Sequence, residues 1–152
     1  MRIIEDDLSS PEVAALLGEH LEGMARHTPP GRVHALDLHA LRAPDVTFWT
    51  VWDDSMLLGC GALRELDTRH GEIKSMRTAN ACLRQGVGTA ILSHLIEESR
   101  RRSYSRLSLE TGSGPAFEAA HSLYKKFGFT YCGPFGDYRP DPFSRFMTLE
   151  LL

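Results

Sequence analysis

The chain has 152 residues, with 20 acidic against 17 basic side chains and a net charge of −3, which is one domain with a sizeable core and argues against a general nucleic-acid binder while allowing a local anion site. Cys60, Cys82 and Cys132 are odd in number, widely spaced and free of any CxxC pair, so neither a disulfide framework nor a zinc cluster is indicated. No apolar run approaches the roughly 20 residues that span a bilayer, and the acidic start Met1-Arg2-Ile3-Ile4-Glu5-Asp6-Asp7 does not look like a signal peptide, so a cytoplasmic location without a membrane partner is expected.

Arg2 to Glu5 reads as a short strand. Ser10-Pro11-Glu12 supplies an N-cap followed by proline at the first helical position, and Val13, Leu16, Leu17, Leu21 and Met24 recur at helical spacing to about Arg26. Thr28-Pro29-Pro30-Gly31 ends that helix, and a second short helix is expected over Val33 to Leu41. Val46 to Trp52 is β-branched and aromatic, Asp53-Asp54-Ser55 is turn chemistry, and Met56 to Leu66 returns as a strand. Gly59 and Gly61 within it predict a bulge or a close approach by another group. The turn Asp67-Thr68-Arg69-His70-Gly71 leads to a third strand, Glu72 to Thr78, which makes an antiparallel meander.

From Ile73 to Ile96 there is no Asp or Glu. Within that run Gln85-Gly86-Val87-Gly88-Thr89-Ala90 opens a helix whose apolar residues Val87, Ile91 and Leu95 keep a 3.6-residue period. No Ser, Thr, Asp or Asn stands ready to cap it, and its first turn has no Glu. Free N–H groups and the positive end of the helix dipole at a glycine turn suit an anion, so a phosphate or pyrophosphate is expected there. Arg106 to Thr111 alternates with period two and must return across this helix, which predicts parallel pairing with the Glu72–Thr78 strand. Gly112-Ser113-Gly114-Pro115 starts another helix with apolar residues Ala116, Ala120, Leu123, Tyr124 and Phe127, closed by Gly128. Short strands come next at Phe129 to Cys132 and Ser144 to Leu151, giving an α/β fold with a mixed sheet flanked by helices.

This order, with these motifs, resembles the GNAT family of acyl-CoA-dependent N-acetyltransferases over the whole of residues 1–152 as a single domain. Gln85, Gly88 and Ala90 occupy the defined positions of its pyrophosphate signature, and Ala120-x-x-Leu123-Tyr124-Lys125-Lys126-Phe127-Gly128-Phe129 matches its later Ala-x-x-Leu-Tyr-x-x-x-Gly-Phe segment. Gly71 to Met76, Leu107 to Gly112 and Cys132 to Tyr138 are similar to a bacterial subgroup acting on small molecules. The resemblance implies acetyl-CoA as co-substrate, a small primary amine as acceptor, direct attack on the thioester, and no metal. It places Arg84, Gln85, Gly86, Val87, Gly88 and Thr89 at the pyrophosphate, and Met76, Arg77 and Thr78 beside the pantetheine arm as an added strand would lie. Tyr124 becomes the general acid for the departing thiolate as well as a cofactor contact; its alternative is a core aromatic. Where many relatives carry Asn, this chain has Phe117, so Ser113 or a backbone group would take over that contact to the cofactor.

Glu72 is the leading base for the attacking ammonium, its alternatives being an exposed strand-end carboxylate or a partner for Lys74 or Arg64. Glu110 is its rival and a substrate-side residue. His70, in its turn, is expected to be solvated. His34 and Asp37 are expected to face the acceptor, and with His39 they do not make a metal site. The loop Phe135-Gly136-Asp137-Tyr138-Arg139 is a second acceptor wall or simply packing. Arg100-Arg101-Arg102 reads as a solvated helix end rather than a nucleic-acid contact. A non-catalytic acyl-CoA sensor on the same fold is the alternative function, and an edge strand near the C-terminus makes a homodimer reasonable.

Overall fold

Period-two alternation sorts the central strands onto two cores. In a computed structural model that describes residues 1–27, 38–83 and 85–151, seven strands form one mixed sheet: β1 (Arg2–Glu5), β2 (Val46–Asp53), β3 (Met56–Asp67), β4 (His70–Thr78), β5 (Arg106–Gly112), β6 (Thr130–Cys132) and β7 (Ser144–Glu150). Their order is β1-β2-β3-β4-β5-β7-β6, antiparallel throughout except for the parallel β4–β5 pair. Helix α1 (Pro11–His27) covers one face, packing Val13, Leu16 and Leu17 with Leu8, Leu41, Phe48, Cys60 and Ala62. Helices α2 (Val87–Arg101) and α3 (Glu118–Lys126) belong to the other, where Ile91, Leu92, Leu95 and Tyr124 meet Trp49, Leu63, Ile73, Leu107 and Leu109.

The caps act as the residue types dictate. Ser10 Oγ accepts the Val13 N–H at 3.3 Å, with Pro11 opening α1. Gly128, at φ +97°, comes just after α3. The glycines of β3 prove to be close approaches: a Cβ on Gly61 would lie 2.7 Å from Ile91 Cγ2, and one on Gly59 would lie 2.9 Å from Val87 Cγ1. Helix α2 therefore lies directly on the β3 backbone.

Three details differ from the expectations drawn from residue order. Residues 33–37 of the expected second helix fall outside the described residues, and its C-terminal part is a single 3-10 turn, Ala40–Arg42. Pro115 opens a 3-10 turn, Pro115–Phe117, and α3 begins only at Glu118. The second turn of the meander is shorter than expected: Asp67 pairs with His70, so His70 is the first residue of β4 rather than part of a solvated turn, and it is buried.

One irregularity shapes everything beyond it. On β3, Gly61 alone lies between Cys60 and Ala62, while on β4 two residues, Ser75 and Met76, lie between their partners Arg77 and Lys74. This is a β-bulge, and Ser75 takes a left-handed backbone at φ +51°. Cys60 Sγ donates to the Ser75 carbonyl at 3.3 Å, pinning the extra residue, and burial of that thiol pushes its pKa up to about 12. Pairing of β4 with β5 ends at Ile73–Leu109, just before the bulge, so the two strands part.

Substituting Gly61→Ala is expected to destabilise the protein by about 1–3 kcal/mol, because α2 must shift to admit the methyl group. Urea unfolding of the variant against the parent measures this.

Candidate active site

Helix α2 starts at Gly86, whose φ of +83° puts the turn in the region that glycine alone adopts freely. No side chain caps the helix, no acid stands in its first turn, and the first helical bond runs from the Ala90 N–H to the Gly86 carbonyl. Among the described residues, the N–H groups of Val87, Gly88 and Thr89 meet no acceptor. Gln85, Gly86 and Thr89 are exposed. At Gly88 a Cβ would sit 3.2 Å from Leu123 Cδ2 on α3 and 3.9 Å from Thr78 Oγ1 on β4, so this first turn stands where three elements converge. Buried orphan donors are rare; exposed ones at a helix N-terminus form a cradle for an anion. Arg84 lies outside the described residues.

The cradle opens towards the parted strands. The Ala79 N–H donates to Leu58 O at 2.8 Å, Thr78 stands opposite Gly59 and Arg77 opposite Cys60. Alternation then turns the Arg77 N–H and C=O towards β3, and those of Thr78 towards the edge that β5 has left. Met76 is one of the two bulged residues, where that alternation is interrupted. Arg77 instead sends its side chain to the opposite face, where its guanidinium meets Glu19 of α1 at 3.2 Å. Ser75 Oγ is buried without a hydrogen-bond partner among the described residues.

Across the gap, α3 carries Tyr124, only 7% exposed and packed 5.8 Å from the Phe129 ring. Burial pushes its phenol up to about 12, which keeps it protonated at neutral pH. Ser113, Gly114, Pro115 and Ala116 line a shallow open hollow at the end of β5. Phe117 packs over Gly112 and edge-on against Phe143 at 5.7 Å. His121 Nε2 lies 2.8 Å from the Gly112 carbonyl.

Glu72 is not an exposed strand end. It is 1% exposed, on the α1 face of β4, and Arg64 pairs with Asp45 instead. The Tyr138 hydroxyl donates to Glu72 Oε2 at 2.7 Å and accepts from Lys74 Nζ at 2.7 Å, while Lys74 Nζ itself stands 3.6 Å from the same oxygen. Burial and the Glu72 charge hold the Tyr138 phenol well above its ordinary range. Glu110 lies on β5 just beyond the end of its pairing with β4, near enough that its charge also raises Tyr138. The pairing of Glu72 with Lys74, one of the alternatives read from residue order, is present, whereas Tyr138 was read only as part of an acceptor wall or of packing and was not joined to that pair. His34 and Asp37 lie outside the described residues.

Below this group, the Arg106 guanidinium donates to His70 Nδ1 at 3.3 Å. Guanidinium has no acceptor, so His70 is the neutral Nε2–H tautomer. Nε2 donates to Ser108 Oγ at 2.7 Å, and Ser108 continues to Thr148 at 2.9 Å. Desolvation, then Arg106, depress the His70 pKa. The arginines at the end of α2 pair with Glu97 and Glu98, and Arg102 also lies over the Trp49 ring. Among the described residues no group of His, Cys, Asp or Glu could hold a metal, and no helix is long and apolar enough to cross a membrane.

A family profile described as the acetyltransferase (GNAT) family matches residues 12–129. The chain belongs to that family. It is 56% identical over 151 residues to the uncharacterized N-acetyltransferase YsnE of Bacillus subtilis, covering 99% of this chain and 100% of that one. YedL of Escherichia coli, another uncharacterized N-acetyltransferase, is 53% identical over 146 residues, covering 96% and 92%. Among solved structures, a Klebsiella pneumoniae protein assigned as an acyl-CoA N-acyltransferase superposes with a TM-score of 0.79 at 26% identity, over 99% of this chain and 97% of that one. A GNAT acetyltransferase of Elizabethkingia anophelis crystallised with acetyl-CoA shares the fold with a TM-score of 0.69 at 20% identity, over 99% and 97%. As a GNAT protein, this chain is an acetyl-CoA-dependent N-acetyltransferase.

Gly88→Glu is expected to abolish acetyl-CoA binding by isothermal titration, since a carboxylate would occupy the anion's place. The His70 shift predicts a pH effect on stability. Its folded pKa is lowered from 6.5, so the unfolded chain takes up the proton first. Stability is full above about pH 6.5 and falls as the pH drops through 6.5 towards the depressed value. The lowered His94 pKa acts in the same sense. Melting temperature should therefore fall on acidification, and less steeply in His70→Gln.

Proposed function

We propose that this GNAT enzyme acetylates a primary amine of a small molecule, with the acetyl group held in the opening between β4 and β5. The observation that carries this reading is the uncapped N-terminus of α2 placed at the mouth of that opening. Anionic oxygens of the CoA pyrophosphate would bind the N–H groups of Val87, Gly88 and Thr89, with Arg84 at the rim. The pantetheine arm would pair with Met76 and Thr78 as an extra strand. Thiolate departure would occur near Tyr124, with Ser113 and Phe117 close to the cofactor on the far side.

The acceptor's ammonium gives one proton to Glu72, the resulting amine attacks the thioester carbonyl, the carbon–sulfur bond breaks, Tyr124 protonates the thiolate, and the proton the nitrogen loses on becoming an amide restores Tyr124. A backbone N–H near Met76 stabilises the tetrahedral oxyanion. Because Glu72 is 1% exposed, it takes the proton from an acceptor seated between the strands or through one water. Glu110 belongs to the acceptor side; His34 and Asp37, expected there from residue order, lie outside the described residues. Burial is compatible with both readings of Tyr124: the ring packs in the core, and the phenol stays protonated until a thiolate needs it. We place the protein in the cytoplasm, where its three free cysteines stay reduced, and any homodimer would use the exposed outer edge of β6.

Release of free CoA from acetyl-CoA, followed with a panel of amino acids, polyamines, aryl amines and aminoglycosides, tests the activity. Tight acetyl-CoA binding with no turnover on any acceptor would sink the proposal. Tyr124→Phe is expected to lower kcat about tenfold or more with acetyl-CoA affinity nearly intact; an unchanged kcat where chemistry limits turnover would return Tyr124 to packing alone.

A further inference from the structure

We propose that Tyr138 is a positioning residue for Glu72, holding one oxygen of its carboxylate so that the other is presented to the amine. The inference rests on the reading of Glu72 as the base. Among the described residues both contacts to Glu72 fall on Oε2: the Tyr138 hydroxyl at 2.7 Å and the Lys74 ammonium at 3.6 Å. Oε1 takes no part in either. A carboxylate with one oxygen doubly held cannot rotate freely, and its remaining oxygen keeps a fixed direction for proton transfer.

Tyr138 suits this task because it is itself fixed. Its ring packs 5.2 Å from Phe135 and 5.5 Å from Phe146, and Lys74 lies 5.4 Å from its centroid. The hydroxyl accepts from Lys74, which leaves its single proton for Glu72. Burial and the neighbouring carboxylate keep that proton in place at working pH. Lys74 also balances the buried charge, without which a carboxylate so enclosed would be costly. The loop between β6 and β7 thereby joins the chemistry of β4 through one hydroxyl, although it contributes no group that reacts.

The proton goes from the ammonium of the acceptor to Glu72 Oε1, directly or through water, so the effect should depend on whether the acceptor carries that proton. Two small probes separate the cases. Ethylamine is an ammonium ion at neutral pH and must be deprotonated; hydroxylamine is already neutral. Acetyl-CoA turnover would be followed with each, corrected for the uncatalysed reaction, in Glu72→Gln, Tyr138→Phe and the double variant. Phenylalanine keeps the ring packing, so Y138F removes the hydroxyl alone.

Expected are losses with ethylamine of about tenfold for Y138F and about a hundredfold for E72Q, no further loss in the double variant, and hydroxylamine turnover within about twofold of the parent in Y138F. An equal loss with both nucleophiles, or additive losses in the double variant, would make Tyr138 a packing or pocket residue and overturn the inference. Sensitivity to E72Q with indifference to Y138F would likewise overturn it while leaving the base in place. Indifference to E72Q would remove the base reading itself.

Discussion

The extra residue in β4 is the constraint on which the rest depends. Seven strands paired along their whole length would form a continuous sheet with no opening. Ser75, left-handed and tied by Cys60, bends β4 just where its pairing with β5 stops. A non-glycine residue in that conformation costs of order 1–2 kcal/mol, and such strain persists only where the surroundings impose it. Here the surroundings are Cys60 on one face and the Gly61–Ile91 contact on the other. The opening is maintained by packing on both sides of the strand.

Once pairing ends at Ile73–Leu109, β4 and β5 diverge. The α2 face supplies backbone donors, at the helix start and along β4, and these suit a polyanionic donor with an amide-rich arm. The α1 face supplies Glu72, Lys74, Tyr138 and Glu110, where charge is carried by side chains.

The paired half of β4 and β5 has the complementary role. Buried His70 and Ser108 and half-buried Thr148 form a neutral hydrogen-bond chain under the junction, so each of these polar groups has a partner. This closed end anchors the strands from which the open end departs. A charged histidine would break the Arg106 contact first, which ties the integrity of the junction to pH.

From residue order alone the helix at Val87 with its uncapped start, the meander and the parallel crossover were legible. Each of these depends on local chemistry: a missing cap, turn residues, alternation, glycines. The close approach at Gly59 and Gly61 was legible as a choice between two causes, and both turned out to hold. His70 was misjudged because turn composition does not say which residue is the first to pair, nor that a later loop will cover it. Glu72 was singled out by its place at the start of a strand, but its bond to Tyr138 joins residues 66 positions apart. Local pattern carries no information about such a contact; only the fold, by laying the β6–β7 loop across β4, decides it.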